Sequence, residues 1–187
     1  MSDDVELSKA MRDSARVAAM SDLRDVRLFE ATLKFNEFPG EDAPLTWELE
    51  MAPTTNHSEG DDFFVLEIEY SVQVEAVADG DDHDEMEPEE KGEADEPNEI
   101  VASVTFKLAG LYSLDLPKGG QGPTTSELDA YAKTMGAMAL YPYAREFVQS
   151  SVSRMGLPPL TLGTFQLPYP DTAAASSFPD TGPAAAG

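Results

Sequence analysis

Apolar and polar residues alternate strictly over four stretches of this chain. In LTWELEMAP (45–53), Leu45, Trp47, Leu49 and Met51 fall on one side and Thr46, Glu48 and Glu50 on the other. In FFVLEIEYSVQVEA (63–76), Phe64, Leu66, Ile68, Tyr70, Val72 and Val74 share a face opposite Val65, Glu67, Glu69, Ser71, Gln73 and Glu75. IVASVTFKLAGLYSL (100–114) gathers Ile100, Val104, Phe106, Leu108 and Tyr112, and VRLFEATLKFNEF (26–38) gathers Phe29, Ala31, Leu33 and Phe35. A period of two marks strands with one buried face. Such clean alternation predicts an antiparallel sheet. NEFPGEDAP, between the first and second runs, reads as a Gly/Pro turn.

Helical patterns flank the strands. Residues 5 to 22 lack alternation and are rich in Ala, Met, Arg and Glu, which favours a helix. Its apolar face (Leu7, Met11, Val17) is thin and needs a partner surface. PTTSELDAYAKTMGAMALY predicts a helix near 125–139 with Thr125 as N-cap. Pro142 would interrupt that helix and suits the first turn of a second one, 142 to 155, with Gly156 closing it. On the second helix Tyr143, Phe147, Val148 and Val152 are expected towards one side. The fold class is therefore α+β: a four-stranded antiparallel sheet, a long broken C-terminal helix on one face and an extra N-terminal helix. The expected organisation is an N-terminal helix (1–23), one domain (24–168) and a tail (169–187).

Charge changes this picture in one place. The 187 residues carry a formal charge of −24, which argues against nucleic acid or an anionic membrane as partner. Asp79 to Asn98 holds eleven carboxylates against Lys91 alone, with Pro88, Pro97, Gly80 and Gly92 interspersed. Such a segment cannot bury enough apolar surface to order itself, so a disordered acidic loop is expected at 79–98. The tail DTAAASSFPDTGPAAAG is low in complexity and reads the same way. No run of residues is long and apolar enough to span a membrane, and the acidic N-terminus is unlike a signal peptide. With no cysteine in the chain, the expected location is the cytoplasm.

Catalytic constellations are missing. His57 and His83 have no partner at metal-ligand spacing, the acidic loop lacks the calcium-loop pattern, and PKGGQG does not join a strand to a helix as a phosphate cradle would. The reading is a non-enzymatic protein without metal or cofactor. What stands out is apolar: ALYPYAREFVQSSVSRMGLPPLTL (139–162) places Leu157, Leu160 and Leu162 around two prolines, where neither regular helix nor central strand can form.

That stretch resembles the signature of the export chaperone SecB and its relatives. The matching residues are Pro142 to Glu146 (Pro-Tyr-Ala-Arg-Glu), Val152 to Arg154 (Val-Ser-Arg), Pro159, Leu160 and Leu162, with Gly110 before Leu111 and Tyr112 on the last strand. The resemblance covers residues 25 to 165. It implies an ATP-independent holdase assembled as a homotetramer. Its clients are unfolded polypeptides lying along apolar grooves between sheet, long helix and connecting loop. By position, the client-binding residues are Trp47, Leu49, Met51, Leu157, Leu160, Leu162 and Phe165. As a client surface Trp47, Leu49, Leu157 and Leu160 are expected to be partly exposed, and the alternative is that these residues are simply the core of the monomer. A tail in place of a final helix departs from the export chaperone. The additional leading helix, the RDVRLFEA entry into the first strand, and ALYPYARE followed by LPPLTL look more like the SecB-like chaperones of toxin–antitoxin–chaperone modules. There the partner is a C-terminal extension of the antitoxin. Two alternatives stand beside this: a general export chaperone delivering preproteins to the motor SecA, and a carrier enclosing a small or lipid ligand. Positions where export chaperones offer acidic residues to SecA fall on Thr32, Asn36 and Thr105.

Overall fold

The computed structural model describes residues 2–39, 43–76, 99–116, 120–160 and 162–165, and the side chains from Ser8 onward. The acidic stretch expected to be disordered at 79–98 and the tail at 169–187 lie outside these residues. Helix α1 (Ser2–Ala19) leads into β1 (Ser21–Phe35), β2 (Leu45–Asn56), β3 (Phe63–Ala76) and β4 (Glu99–Leu114). Helix α2 (Thr125–Tyr131), a π turn (Ala132–Gly136) and helix α3 (Ala137–Arg154) follow without a break. All neighbouring strands are antiparallel and the sheet order is β1-β4-β3-β2.

The alternation in β3 is borne out at every position: Phe64, Leu66, Ile68, Tyr70, Val72 and Val74 are all buried beneath the helices. Across the ladder Phe64 stacks on Tyr112 and Tyr70 on Phe106, each pair with centroids 4.9 Å apart. Tyr131 of α2 meets the first pair edge-on. Phe147 of α3 lies 4.6 Å from Phe106. These rings fill the space between sheet and helices.

Four expectations about the sheet and its lead-in need correction. Helix α1 ends at Ala19 and β1 begins at Ser21, where a helix to residue 22 was expected. Two bulges, at Arg24 and Phe29, break the period of two in β1 and hide the strand's start. For the same reason Phe29 drops out of its expected set: the residues sharing the core face of β4 are Leu23, Val26, Leu28, Ala31, Leu33 and Phe35. Ile100 is exposed, because the register shifts between Val74 and Glu75 and Val101 takes the buried position. NEFPGEDAP joins strands at opposite edges of the sheet and closes no hairpin.

The helical corrections are equally local. Thr124, not Thr125, is the N-cap: its side chain accepts from Glu127 N while the Glu127 carboxylate accepts from Thr124 N. This is the reciprocal Thr-x-x-Glu box. Pro142 does not divide the helix. It sits inside α3 on the exposed side, one turn after the exposed Met138. The irregularity lies earlier, at the π turn. There Gly136 approaches β3 so closely that a Cβ would stand 2.6 Å from Leu66 Cδ2. The buried stripe of α3 is Ala137, Leu140, Tyr141, Ala144, Val148, Ser151 and Val152, so Tyr143 faces outward, contrary to expectation.

The thin apolar face of α1 finds its partner in α2 and the π turn. Val17 is fully buried, and the Ser14 hydroxyl lies 2.7 Å from Thr134 Oγ1 in the seam. Arg16 bridges to Glu127 at 2.6 Å and donates to the Gln121 carbonyl at 3.1 Å.

Candidate functional site: an apolar cleft at the start of β2

Three of the seven expected client-binding residues, Trp47, Leu157 and Leu160, line one cavity of about 180 Å³, together with Leu45, Val74, Val152, Pro158 and Pro159. Its construction follows from the end of α3. Gly156 adopts φ +79°, a backbone conformation that side-chain-bearing residues rarely take. The Gly156 amide then donates to the Ser153 carbonyl at 3.1 Å and the Leu157 amide to the Val152 carbonyl at 3.3 Å. This Schellman closure brings Leu157 back beside Val152 on the cavity wall.

The division of labour within the connecting segment differs from expectation. Leu157 and Leu160 were expected to be partly exposed, yet they retain only 7% and 8% of their surface, and Leu162 only 1%. The leucines anchor the segment while Pro158 and Pro159 remain exposed at its crest. Opposite them Trp47 is 37% exposed and forms the accessible wall. The cleft is thus a hydrophobic surface whose inner side is structural.

Leu49 and Met51 continue the same side of β2 and are half-buried against the core. Phe165 is placed elsewhere. It lies 5.4 Å from the ring of Tyr141 and helps line a cavity of about 380 Å³ on the outer side of α3, with Met138, Pro142 and Arg145 among its walls. The expected seven therefore separate into a row along β2 with its proline-capped cleft, a buried anchor at Leu162, and Phe165 on α3.

Two features were not anticipated as a site. A polar cavity of about 710 Å³ lies at the far end of β2, between Thr55, His57, Glu59 and Asp61 and the loop before α2. His57 Nδ1 sits 2.9 Å from the Phe63 carbonyl, which fixes the ring to the backbone of its own hairpin. Among the described residues no group of three or more His, Cys, Asp or Glu side chains is arranged to hold a metal ion. The second feature is β1, where Leu28, Phe29, Leu33 and Phe35 are 36–58% exposed on an edge strand. Their apolar character was visible in the sequence, but not that the helices stop short of them.

No family model matches the chain. It is 34% identical over 169 residues to the SecB-like chaperone Rv1957 of Mycobacterium tuberculosis (strain ATCC 25618 / H37Rv), covering 90% of this chain and 88% of that protein. It is 35% identical, over the same span and shares, to the SecB-like chaperone MT2006 of Mycobacterium tuberculosis (strain CDC 1551 / Oshkosh). The solved structure of the Mycobacterium tuberculosis Rv1957 SecB-like chaperone in complex with a ChAD peptide from the Rv1956 HigA1 antitoxin is similar, with a TM-score of 0.69 at 31% identity. That similarity covers 84% of this chain and 99% of the solved one.

Proposed function

The chain belongs to the SecB-like chaperone family, and we propose that it is an ATP-independent holdase whose dedicated client is the C-terminal extension of an antitoxin. The observation that carries this is the convergence of Trp47, Leu157 and Leu160 on one apolar cleft. Burying apolar area at about 25 cal/mol per Å² over such a cleft and the adjoining row of β2 holds an unfolded chain without consuming a nucleotide. The relative solved with an antitoxin peptide supports an antitoxin extension as partner here. Leu49 and Met51 extend the grip along the strand, and Phe165 offers a second contact on α3.

The export alternative, delivery to SecA, has less to stand on. Thr32 and Thr105 are cross-strand partners and Asn36 donates to the Ile100 carbonyl at 3.0 Å, so no carboxylate occupies the three positions. A ligand carrier would need an open chamber between sheet and helices, where the stacked rings already lie. Self-association to a homotetramer is supported by the exposed apolar side chains of β1 and by Met138 and Tyr143 on α3. A cytoplasmic location suits this role. Among the described residues no helix is long and apolar enough to cross a membrane.

The test is client aggregation. The protein should suppress aggregation of a chemically unfolded protein in the absence of ATP, and should protect an antitoxin carrying its C-terminal extension from proteolysis. Trp47→Asp should remove both effects while remaining folded. Full protection by that variant would discard the cleft as the client site.

A further inference from the structure

Strand β2 is an outer strand, bonded to β3 along its length, and among the described residues no other backbone pairs with it. In an antiparallel strand, successive residues aim their N–H and C=O groups alternately to the two sides. Pro53 stands within the ladder opposite Ile68 and has no N–H to give. A proline is tolerated there when its position points away from the partner strand. The odd-numbered residues of β2 therefore turn their backbone groups to the open edge, and Trp47, Leu49 and Met51 each offer an N–H and a C=O. The same three residues place their side chains on the helix-facing side, next to the cleft beneath Leu157 and Leu160.

We propose that an extended segment of the captured chain adds to β2 as a fifth strand, hydrogen-bonded to Trp47, Leu49 and Met51 and ended by Pro53. This rests on the capture reading above and specifies how the client backbone is held. Main-chain pairing is indifferent to sequence, while every second client side chain enters the apolar cleft. The other face of β2 sets the occupant's remaining chemistry. Glu48 and Glu50 are exposed there, and neither takes part in an ion pair among the described residues. Pairing of β2 with a second copy would set these glutamates against their own equivalents, and like charges across a ladder repel. The edge thus favours a strand that is apolar on the helix side and carries Lys or Arg on the other.

Residue-resolved amide hydrogen exchange on the full-length protein tests this, with a short synthetic peptide in which Leu and Phe alternate with Lys. Binding should slow exchange at Trp47, Leu49 and Met51 by at least about tenfold and leave Thr46, Glu48 and Glu50, already bonded to β3, unchanged. Two versions of the peptide, N-methylated on one or the other set of alternate amides, should differ. One should bind like the parent and the other should lose about tenfold per blocked bond. In Pro53→Val the new amide should become protected as well. A peptide that binds, and is sensitive to Trp47→Asp, but leaves the odd amides exchanging freely overturns strand addition and spares the capture reading. Equal losses for both methylated peptides do the same. Protection of the odd amides without peptide, rising with protein concentration, would assign the edge to a second copy and overturn the proposal. Failure of both the peptide and an unfolded protein to bind overturns both readings.

Discussion

The Tyr141 hydroxyl donates to the Gly163 carbonyl at 2.8 Å, tying the segment after α3 to the second turn of that helix. Burial pushes the Tyr141 phenol above its ordinary pKa, with Arg145 acting in the opposite sense, so the group remains a donor at neutral pH. Together with the Schellman closure at Gly156, this bond fixes the segment at two points. The wall of the cleft is consequently a braced element, and its shape depends on hydrogen bonds outside the cleft itself.

Tyr141→Phe should therefore destabilise the protein by about 0.5–1.5 kcal/mol, the usual net value of such a bond. The same change at Tyr70 should behave differently. That hydroxyl is buried with no hydrogen-bond partner among the described residues, and burial raises its pKa far above the ordinary phenol value. Tyr70→Phe removes a desolvated polar atom and keeps the stack on Phe106, so stability should be unchanged or improved. Urea unfolding of both variants side by side checks the contrast. Equal losses would mean that Tyr70 has a partner.

Burial separates the expected client-binding residues into two classes with opposite behaviour. Leu162→Asp places an unpaired charge at a position only 1% exposed and should cost more than about 4 kcal/mol, enough to prevent folding. Trp47→Asp alters a residue that is 37% exposed and should cost no more than about 2 kcal/mol, while client binding falls by at least tenfold. Leu160, 8% exposed, should follow Leu162 in stability. Thermal unfolding and client titration on the same preparations distinguish the classes. A well-folded Leu162→Asp protein would mean that the segment can leave its seat.

How far the sequence led depended on whether periodicity was interrupted. β3 has no bulge within Phe63–Val74, and every residue of its inner face was legible. β1 carries two bulges, each of which moves the inward set by one position, so neither its start nor the place of Phe29 could be read from alternation. The Thr124–Glu127 box was present in the letters, one residue before the cap chosen from them. Pro142 reads as a helix breaker in the letters alone, whereas the solvent-facing side of α3 on which it is tolerated is set by tertiary packing. The cleft was legible as a set of residue types, since leucines between prolines must either seal a core or line a surface. Their inward orientation was not, because it comes from the backbone turn at Gly156 and from the Tyr141 hydroxyl bond to the Gly163 carbonyl.

The exposed apolar side chains of β1 bear on assembly. Leu33 is 43% exposed on the side of the sheet that elsewhere is covered by helix. Contiguous apolar surface on an edge strand marks an interface. Leu33→Lys should reduce the mass measured by light scattering at micromolar concentration, from the tetramer proposed above to a smaller species, with little change in secondary structure. A wild-type protein that is monomeric under these conditions would sink the assembly proposal.

The π turn gives a prediction about packing. At Gly136 an added Cβ would meet Leu66 Cδ2 at 2.6 Å and both the ring and carbonyl of Tyr131 at 3.0 Å. Leu66 is fully buried and has no space to retreat. Gly136→Ala should therefore destabilise by about 1–3 kcal/mol, although alanine is the better helix former. A gain in stability, measured by denaturant unfolding, would show that the helix and sheet can part at this point.

The docking of α1 should depend on pH through Glu127. Burial works against its charge, but the Thr124 backbone amide and the Arg16 guanidinium more than compensate, and its pKa lies below the ordinary value of 4.5. The sign follows from linkage. A carboxylate whose pKa is lower in the folded state contributes stability above the unfolded value, and loses it as pH falls through the folded one. Arg16 is 41% exposed, so the ion pair is screened and the amide bond from Thr124, at 2.8 Å, is the sturdier part. Glu127→Gln keeps the shape of the cap and removes only the charge. Its melting temperature should fall below wild type at neutral pH, and the gap should narrow as pH falls from 4.5 and close below the folded pKa, where both side chains are uncharged. Added salt at neutral pH should narrow the gap only in part. A gap that persists unchanged at pH below the folded pKa would mean that the substitution acts through packing and that the carboxylate's charge does not hold α1 in place.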